Sequence, residues 1–251
     1  MRAVLLIHGS GMSGASWGKT LAGLGDGFRV LAPDLVGYAR NGEPVPRGRL
    51  VDSKVDLELL RPILHGEERV DLVGHSYGGV LAAKLALEAP SRVDRLILIE
   101  PVLFSALRRT NDEDAREELS AMYDEPSFLD PSLGGTEAWT ERFMDYWWGP
   151  GFWARMSEAA KRATLRTAWK VFCEVRDISN DPAPFSAYAA LPTPLTLLRG
   201  TKTTACARRV IDHLKEHAKD AQVAELEGAG HMSPLTHGEA LGAKLRELLL
   251  R

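Results

Sequence analysis

The chain has 251 residues, 45% of them hydrophobic, which is enough for one large domain or for a core that carries a sizeable insertion. Its 31 Lys and Arg residues nearly balance 34 Asp and Glu residues, and no basic stripe interleaved with aromatic residues indicates nucleic-acid binding. The two cysteines, Cys173 and Cys206, fit neither a disulfide framework nor a zinc-binding spacing, so we expect free thiols in a reducing compartment.

The N-terminal residues lead directly into an apolar strand pattern, and no apolar run reaches the length of a membrane span. A secretory signal would need a basic region, an apolar region and a cleavage site before the fold begins. The sequence leaves no room for one. We therefore expect no membrane association and a cytoplasmic location.

Short apolar runs alternate with helical patterns, as is typical of strands joined by crossover helices in a parallel sheet. The expected strands are residues 4–7, 29–32, 70–73, 95–99, 194–198 and 223–226. The expected helices of the same part of the chain are residues 16–24, 51–64, 80–87 and 239–250. The sequence therefore predicts an α/β fold with a mostly parallel central sheet flanked by helices.

The rhythm changes between residues 102 and 191, where the pattern is helical and no strand is convincing. We expect residues 1–101 and 192–251 to form the core and residues 102–191 to form a helical cap inserted after the fourth strand. Trp139, Phe143 and Trp147 recur four residues apart, which places them on one helical face. They either pack the cap against the sheet or form the wall of an apolar substrate pocket.

The run from Val73 to Gly79, which reads VGHSYGG, places Ser76 at a sharp turn from a strand to a helix. Glycines on both sides let strand and helix approach each other, while the serine must accept a strained backbone. The helix N-terminus beneath the hydroxyl favours developing negative charge. The pattern predicts a nucleophile at Ser76, and a plain glycine-rich turn is the alternative.

A serine hydroxyl needs a base to take its proton, and His231 is the strongest candidate. It lies in a glycine-rich loop after the last expected strand, and such loops share one edge of a parallel sheet with the Ser76 turn. A structural histidine is the alternative. An oxyanion also needs two backbone N–H donors, for which we expect Tyr77 and, in the loop after the first strand, Ser10. His8 is expected to brace that loop.

Together these residues resemble the α/β-hydrolase superfamily over the whole chain. The resemblance rests on His-Gly after an early strand, the segment 32–38, the serine turn, the cap insertion and Gly-x-Gly-His near the end. It implies Ser76 as nucleophile, His231 as base, Ser10 and Tyr77 as oxyanion donors, and a structural role for Asp34. It also implies an N-terminally trimmed fold, because the strands that usually precede the first one are absent.

The acid of the triad departs from the common pattern of that superfamily. It usually follows the strand after the cap, but residues 200–205 contain no carboxylate and Asp212 lies within the next helix. The other position used in the superfamily, as in some haloalkane dehalogenases, ends the strand after the nucleophile helix, and Glu100 occupies it here. A carboxylate that ends an apolar strand is costly unless it is paired or exposed at the active edge. We expect Glu100 to be the acid, and bonding to nearby backbone is the alternative.

These assignments predict a serine hydrolase that cleaves a small or medium apolar ester through an acyl-enzyme, with no metal or organic cofactor. A serine in the turn argues against the aspartate-based chemistry of dehalogenases and epoxide hydrolases. The same triad also serves carbon–carbon bond, thioester and lactone hydrolysis, perhydrolysis and cyanohydrin cleavage. Carbon–carbon bond hydrolases typically show His-Gly-x-Gly-Pro-Gly after the early strand, whereas this chain has Met12 and Ser13 after Gly11. A non-catalytic ligand-binding protein is a further alternative. The expected partner is a small molecule, and the sequence does not indicate the oligomeric state.

Overall fold

The computed structural model describes residues 2–123, 126–191 and 194–251. In these residues six parallel strands form one sheet in the order β2-β1-β3-β4-β5-β6. The strands are β1 (Arg2–Ile7), β2 (Phe28–Leu31), β3 (Val70–His75), β4 (Val93–Ile99), β5 (Leu195–Gly200) and β6 (Gln222–Leu226). All six predicted strands are present, and the predicted fold class is confirmed.

Eleven α-helices connect and cover the strands in the described residues. They are α1 (Gly18–Leu24), α2 (Lys54–His65), α3 (Tyr77–Glu88), α4 (Phe104–Arg108), α5 (Glu113–Tyr123), α6 (Glu137–Trp148), α7 (Phe152–Arg155), α8 (Glu158–Ser179), α9 (Ala205–His217), α10 (Ser233–Thr236) and α11 (Gly238–Leu250). Short 3₁₀ helices lie at Gly14–Trp17, Pro90–Arg92, Pro126–Leu129 and Phe185–Tyr188. None of the described helices combines the length and the apolar character needed to cross a bilayer.

Two helices begin later in the structure than the sequence predicts. The helix predicted at 16–24 begins as a 3₁₀ turn, where the Ser13 N–H donates to the Ser16 hydroxyl, and becomes α-helical at Gly18. The helix predicted from residue 51 begins at Lys54. The Asp52 carboxylate accepts a hydrogen bond from the Lys54 N–H, and the Ser53 N–H donates to Asp177 on α8. These side-chain acceptors replace helical bonds at the N-terminus, as capping residues do.

The sheet is buried on both faces, which explains why its inner strands read as continuous apolar runs. Alternate strand residues enter two separate cores. One face packs against α1 and α11, with Val4, Leu6, Val73, Ile97, Leu241 and Leu245 in its core. The other face packs against α2, α3 and α9, with Leu5, Leu72, Leu98, Leu60, Val80 and Val210 in its core.

The segment predicted as a cap contains α4 to α8, and its described part contains no strand. Most of its buried aromatic side chains, among them Trp139 and Phe172, belong to the same core as the α2–α3 face of the sheet. The predicted boundary at residue 192 lies outside the described residues. The division of the chain into core and cap stays a prediction.

Candidate active site

Ser76 lies between the last residue of β3 and the first residue of α3, with φ 56° and ψ −122°. A positive φ is strained for any residue with a Cβ atom, and such strain concentrates at functional positions. A Cβ atom on Gly74 would lie 2.2 Å from the carbonyl oxygen of Gly78, and one on Gly78 would lie 2.2 Å from that of Ile7. The turn therefore requires glycine at both positions, which accounts for the motif.

Three side chains predicted for the site form one continuous chain of hydrogen bonds. The Ser76 hydroxyl donates to Nε2 of His231 at 2.9 Å, and Nδ1–H of His231 donates to Oε2 of Glu100 at 2.7 Å. Ser76, His231 and Glu100 are all buried. They come from the ends of the adjacent strands β3 and β4 and from the loop between β6 and α10.

Glu100 has a positive φ of 45° and accepts further hydrogen bonds from the loop after β5. Oε1 accepts the Gly200 N–H at 2.7 Å, and Oε2 accepts the Thr203 hydroxyl at 2.7 Å. Burial opposes ionisation, but the bonds from His231, Gly200 and Thr203 outweigh it, so the pKa of Glu100 lies below its ordinary value. An ionised Glu100 only accepts hydrogen bonds, which fixes the proton of neutral His231 on Nδ1.

The loop where most of the superfamily carries its acid thus donates to a carboxylate instead of supplying one. Asp212, the first carboxylate after that loop, is paired with Arg199 at 2.7 Å and with Arg209 at 3.0 Å. Its carboxylate is therefore engaged by two cations on the α9 side of the structure, while Glu100 contacts the imidazole of His231.

His231 is held by two neighbours whose roles were not predicted. Nε2–H of His75 donates to the backbone carbonyl of His231 at 2.8 Å. Burial, together with the nearby His231, lowers the pKa of His75 to about 3, so this ring is neutral. The ring of Trp147 stacks on the imidazole of His231, with centroids 3.7 Å apart and planes inclined by 20°. In the sequence, the position of His75 directly before Ser76 is the feature that could have indicated its role beside His231.

The two residues predicted as oxyanion donors lie beside Ser76. Tyr77 begins α3, and the first N–H groups of a helix have no intrahelical acceptor. Ser10 lies in the loop after β1, and Ser10 and Ser76 line the same cavity. A Cβ atom placed on the preceding residue, Gly9, would lie 3.0 Å from the Cβ of Ser76, so the two segments pack closely.

Two further residues brace this region as predicted. Nε2 of His8 accepts the Leu35 N–H at 3.0 Å, and Nδ1–H donates to the Gly9 carbonyl at 2.9 Å. Burial lowers the pKa of His8, which is consistent with a neutral ring that both accepts and donates. The Asp34 carboxylate accepts the N–H groups of Gly14 at 2.8 Å and Arg40 at 3.1 Å.

A cavity of about 160 Å³ opens onto Ser76 and His231. Trp139, Phe143 and Trp147 of α6 all contribute to its wall, and the rings of Trp139 and Phe143 stack at 5.4 Å. Trp139 is also buried in the core, so it both packs the inserted segment and lines the cavity. No Asp, Glu, Lys or Arg lines the cavity in the described part of the chain. The arrangement suits an uncharged, apolar ligand.

Residues 2–123, 126–191 and 194–251 contain no group of three or more His, Cys, Asp or Glu side chains arranged to hold a metal ion. Cys173 and Cys206 are both free and buried.

Known proteins resemble this chain in sequence and in fold. Lipase LipV of Mycobacterium tuberculosis is 31% identical over 142 residues, which cover 57% of this chain and 51% of LipV. The 2-hydroxy-6-oxo-2,4-heptadienoate hydrolase of Pseudomonas putida is 40% identical over 104 residues, or 39% of this chain and 37% of that protein. The chain thus spans about half or less of the length of these relatives.

A haloalkane dehalogenase variant, DbeA-M1 from Bradyrhizobium elkanii, has the same fold, with a TM-score of 0.74 at 20% identity over 99% of this chain and 89% of that one. A model of the alpha/beta hydrolase family matches residues 4–243. Because this match spans both the sheet and helices α4 to α8, the chain belongs to the alpha/beta hydrolase family.

Proposed function

We propose that the protein is a serine hydrolase that cleaves a small or medium apolar ester through an acyl-enzyme on Ser76. The hydrogen-bond chain from Ser76 through His231 to Glu100 is the observation that carries the proposal. A serine hydroxyl is a weak nucleophile, and His231 lies where it can take the hydroxyl proton on Nε2. The carboxylate of Glu100 lies where it can stabilise the imidazolium that results.

The first step forms the acyl-enzyme. The Ser76 oxygen attacks the ester carbonyl while its proton moves to Nε2 of His231, and the carbonyl oxygen becomes an oxyanion. The backbone N–H groups of Ser10 and Tyr77 donate to that oxyanion. His231 then gives the proton from Nε2 to the leaving alcohol, and the bond between the carbonyl carbon and the alkoxy oxygen breaks.

The second step releases the acid and restores the serine. A water molecule takes the place of the alcohol and transfers a proton to Nε2 of His231 as its oxygen attacks the acyl carbon. The second tetrahedral intermediate uses the same two N–H donors. Its collapse breaks the bond to the Ser76 oxygen, which recovers the proton from His231.

The cavity supports an apolar and uncharged substrate, since its wall is mostly aromatic and aliphatic and carries no lysine or arginine in the described residues. Hydrolysis of a carbon–carbon bond is the second candidate, because the Pseudomonas putida relative is named for a dienoate. A dienoate is an anion, and an anion would call for a cationic partner in a cavity of this kind. An ester is therefore the better fit.

A fluorophosphonate probe tests the proposed nucleophile. We expect covalent labelling of the wild-type protein and none of Ser76→Ala, because the probe requires a serine activated by a base. Ser105→Ala is the matched control, since Ser105 is also buried but bonds to the backbone carbonyl of Asp181. A folded wild-type protein that resists labelling would contradict the proposal and favour a non-catalytic ligand-binding protein.

A further inference from the structure

A group of buried charged side chains lies behind the candidate site, and the mechanism above does not use it. Nζ of Lys170 on α8 lies 2.6 Å from Oδ2 of Asp56 on α2 and 2.8 Å from Oε1 of Glu174 one helical turn further along. Lys170 is 1% exposed, Asp56 0% and Glu174 2%. We call these three side chains, together with Tyr38 and Tyr77, the Lys170 cluster.

One branch of the Lys170 cluster reaches the start of α3. The Tyr77 hydroxyl donates to Oδ2 of Asp56 at 2.9 Å, the same oxygen that contacts Lys170. Oδ1 of Asp56 accepts the Val36 N–H at 2.9 Å. The side chain of Tyr77 is therefore anchored to Lys170 through Asp56, while its backbone N–H is one of the two donors that we assign to the oxyanion.

The other branch reaches the loop that carries Ser10. The Tyr38 hydroxyl donates to Oε2 of Glu174 at 2.9 Å and accepts the Gly11 N–H at 3.2 Å. The peptide group that follows Ser10 is thus anchored to Lys170 through Tyr38 and Glu174. Both predicted oxyanion donors are therefore tied to a single ammonium group.

We propose that Lys170, through Asp56 and Glu174, is a positioning residue that fixes the backbone N–H groups of Ser10 and Tyr77 and links them to helix α8 of the inserted segment. This inference rests on the proposed function, because it assigns a task within the oxyanion site. It adds residues from α2 and α8 that neither the serine motif nor the cavity wall includes.

In this proposal the ion pairs of Lys170 contribute fixed geometry rather than net stability. A buried ion pair seldom stabilises a fold more than apolar residues of the same volume would, because desolvation of the charges offsets their attraction. An oxyanion site instead needs donors that are fixed before the reaction, and a displacement of about 1 Å can cost on the order of 100-fold in rate. Two donors from different segments meet that requirement when both are tied to one rigid anchor.

The charge state of Lys170 is consistent with this task. Burial lowers the pKa of Lys170, but Glu174 and Asp56 outweigh that effect and leave the pKa above its ordinary value. The side chain is therefore an ammonium with three N–H donors. Its hydrogen bonds to Asp56 and Glu174 use two of them.

Tyr38→Phe tests the inference with little disturbance, since it removes the hydroxyl between Gly11 and Glu174 and leaves the ions in place. For hydrolysis of a p-nitrophenyl ester we expect kcat to fall about 10- to 100-fold with KM nearly unchanged. Affinity for an alkyl boronic acid, which forms a tetrahedral adduct on the serine, should fall by the same factor as kcat/KM. For Lys170→Met we expect a loss at least as large in both measurements.

Asp177→Asn is the matched control. Asp177 lies on α8 three residues beyond Glu174, and its carboxylate accepts the Ser53 N–H at 3.0 Å, so it also ties α8 to the start of α2. It has no hydrogen bond to the loop of Ser10 or to Tyr77 in the described residues. We expect this variant to lose thermal stability while it keeps wild-type kcat and boronic acid affinity.

The two proposals fail in different ways. Wild-type kcat and boronic acid affinity in Tyr38→Phe and Lys170→Met, with fluorophosphonate labelling of Ser76 intact, would overturn the inference alone. Absence of labelling in the wild-type protein would overturn the proposed function. If Lys170→Met does not fold, Glu174→Gln replaces it, with the same expected loss of kcat and the same contrary result.

Discussion

Ser76 and Glu100 both have a positive φ angle, which few residues with side chains adopt. Their φ angles are 56° and 45°. Ser76 follows His75 on β3 and Glu100 follows Ile99 on β4, and His75 and Ile99 are partners on these neighbouring strands. Each residue at positive φ costs about 1–3 kcal/mol, so the surroundings must hold it. The Ser76 N–H donates to the Ile99 carbonyl at 2.9 Å, and the Glu100 N–H donates to that of Leu198 at 3.0 Å. The sheet thus continues its hydrogen bonding into both strained residues.

Replacement of Glu100 by glutamine tests its proposed role as the acid. Gln presents an amide in place of a carboxylate, which no longer stabilises the imidazolium and permits the wrong tautomer of His231. We expect kcat for a p-nitrophenyl ester to fall by about 10³- to 10⁴-fold. Asp212→Asn is the control and should keep nearly full activity. Full activity in Glu100→Gln would show that another group orients the histidine.

The same residue makes stability depend on pH. Because the pKa of Glu100 is lowered in the folded protein, the unfolded chain binds the proton more readily, and the stabilisation is present above the unfolded pKa of about 4. It is lost as the pH falls through the folded pKa. The difference in free energy of unfolding between wild type and Glu100→Gln should therefore shrink as the pH falls below about 4. Urea unfolding at a series of pH values measures it, and a constant difference would contradict the assignment.

At the scale of elements, the glycines of the strand–turn–helix unit set its geometry. Gly78 on α3 is packed against the Ile7 carbonyl of β1, whereas Gly18 at the start of α1 has no atom within 4 Å of its Cβ position. The close approach draws α3 and β1 together beneath Ser76.

These two glycines should respond oppositely to alanine. Gly78→Ala forces the backbone of β1 or α3 to move, and we expect a loss of at least about 2 kcal/mol in the free energy of unfolding. Gly18→Ala has room and restricts the unfolded chain, so it should be neutral or stabilise by up to about 1 kcal/mol. Urea denaturation measures both. An unchanged midpoint for Gly78→Ala would contradict the close packing.

The elements explain which site residues could be predicted from the sequence. Ser76, Glu100 and His231 each follow a strand of a parallel sheet, so chain order alone indicates one shared edge, and the structure brings the three together. The Lys170 cluster has no such signature. Lys170 and Asp56 lie in helices whose charged residues mostly face water. The two residues are buried because they pair with each other across segments that are distant in sequence, and no local pattern indicates that pairing.

On the scale of the whole molecule, the inserted helices and one face of the sheet share a single hydrophobic core. The family and the fold class could be predicted because the serine motif and the alternation of strand and helix patterns are local features of the sequence. The shape of the cavity could not, since α5, α6 and α8 determine it through packing between segments distant in sequence.

The shared core predicts cooperative unfolding. Five of the six tryptophans lie within residues 139–169, so tryptophan fluorescence reports mainly on the inserted helices, whereas far-ultraviolet circular dichroism reports on all helices and strands. Because helices α4 to α8 share a core with one face of the sheet in the described residues, we expect both signals to change at the same urea concentration. Distinct midpoints would show that the inserted helices unfold on their own.

The position of His231 in chain order has a consequence for biosynthesis. Ribosomes deliver the N-terminal residues first, so Ser76 and Glu100 are made long before the base that we assign to them. Helix α11, which covers one face of the sheet together with α1, is made later still. A nascent chain that has not yet reached residue 231 therefore carries the Ser76 hydroxyl without the His231 imidazole that would receive its proton. Under the proposed function, reactivity towards esters therefore requires translation to proceed at least as far as residue 231.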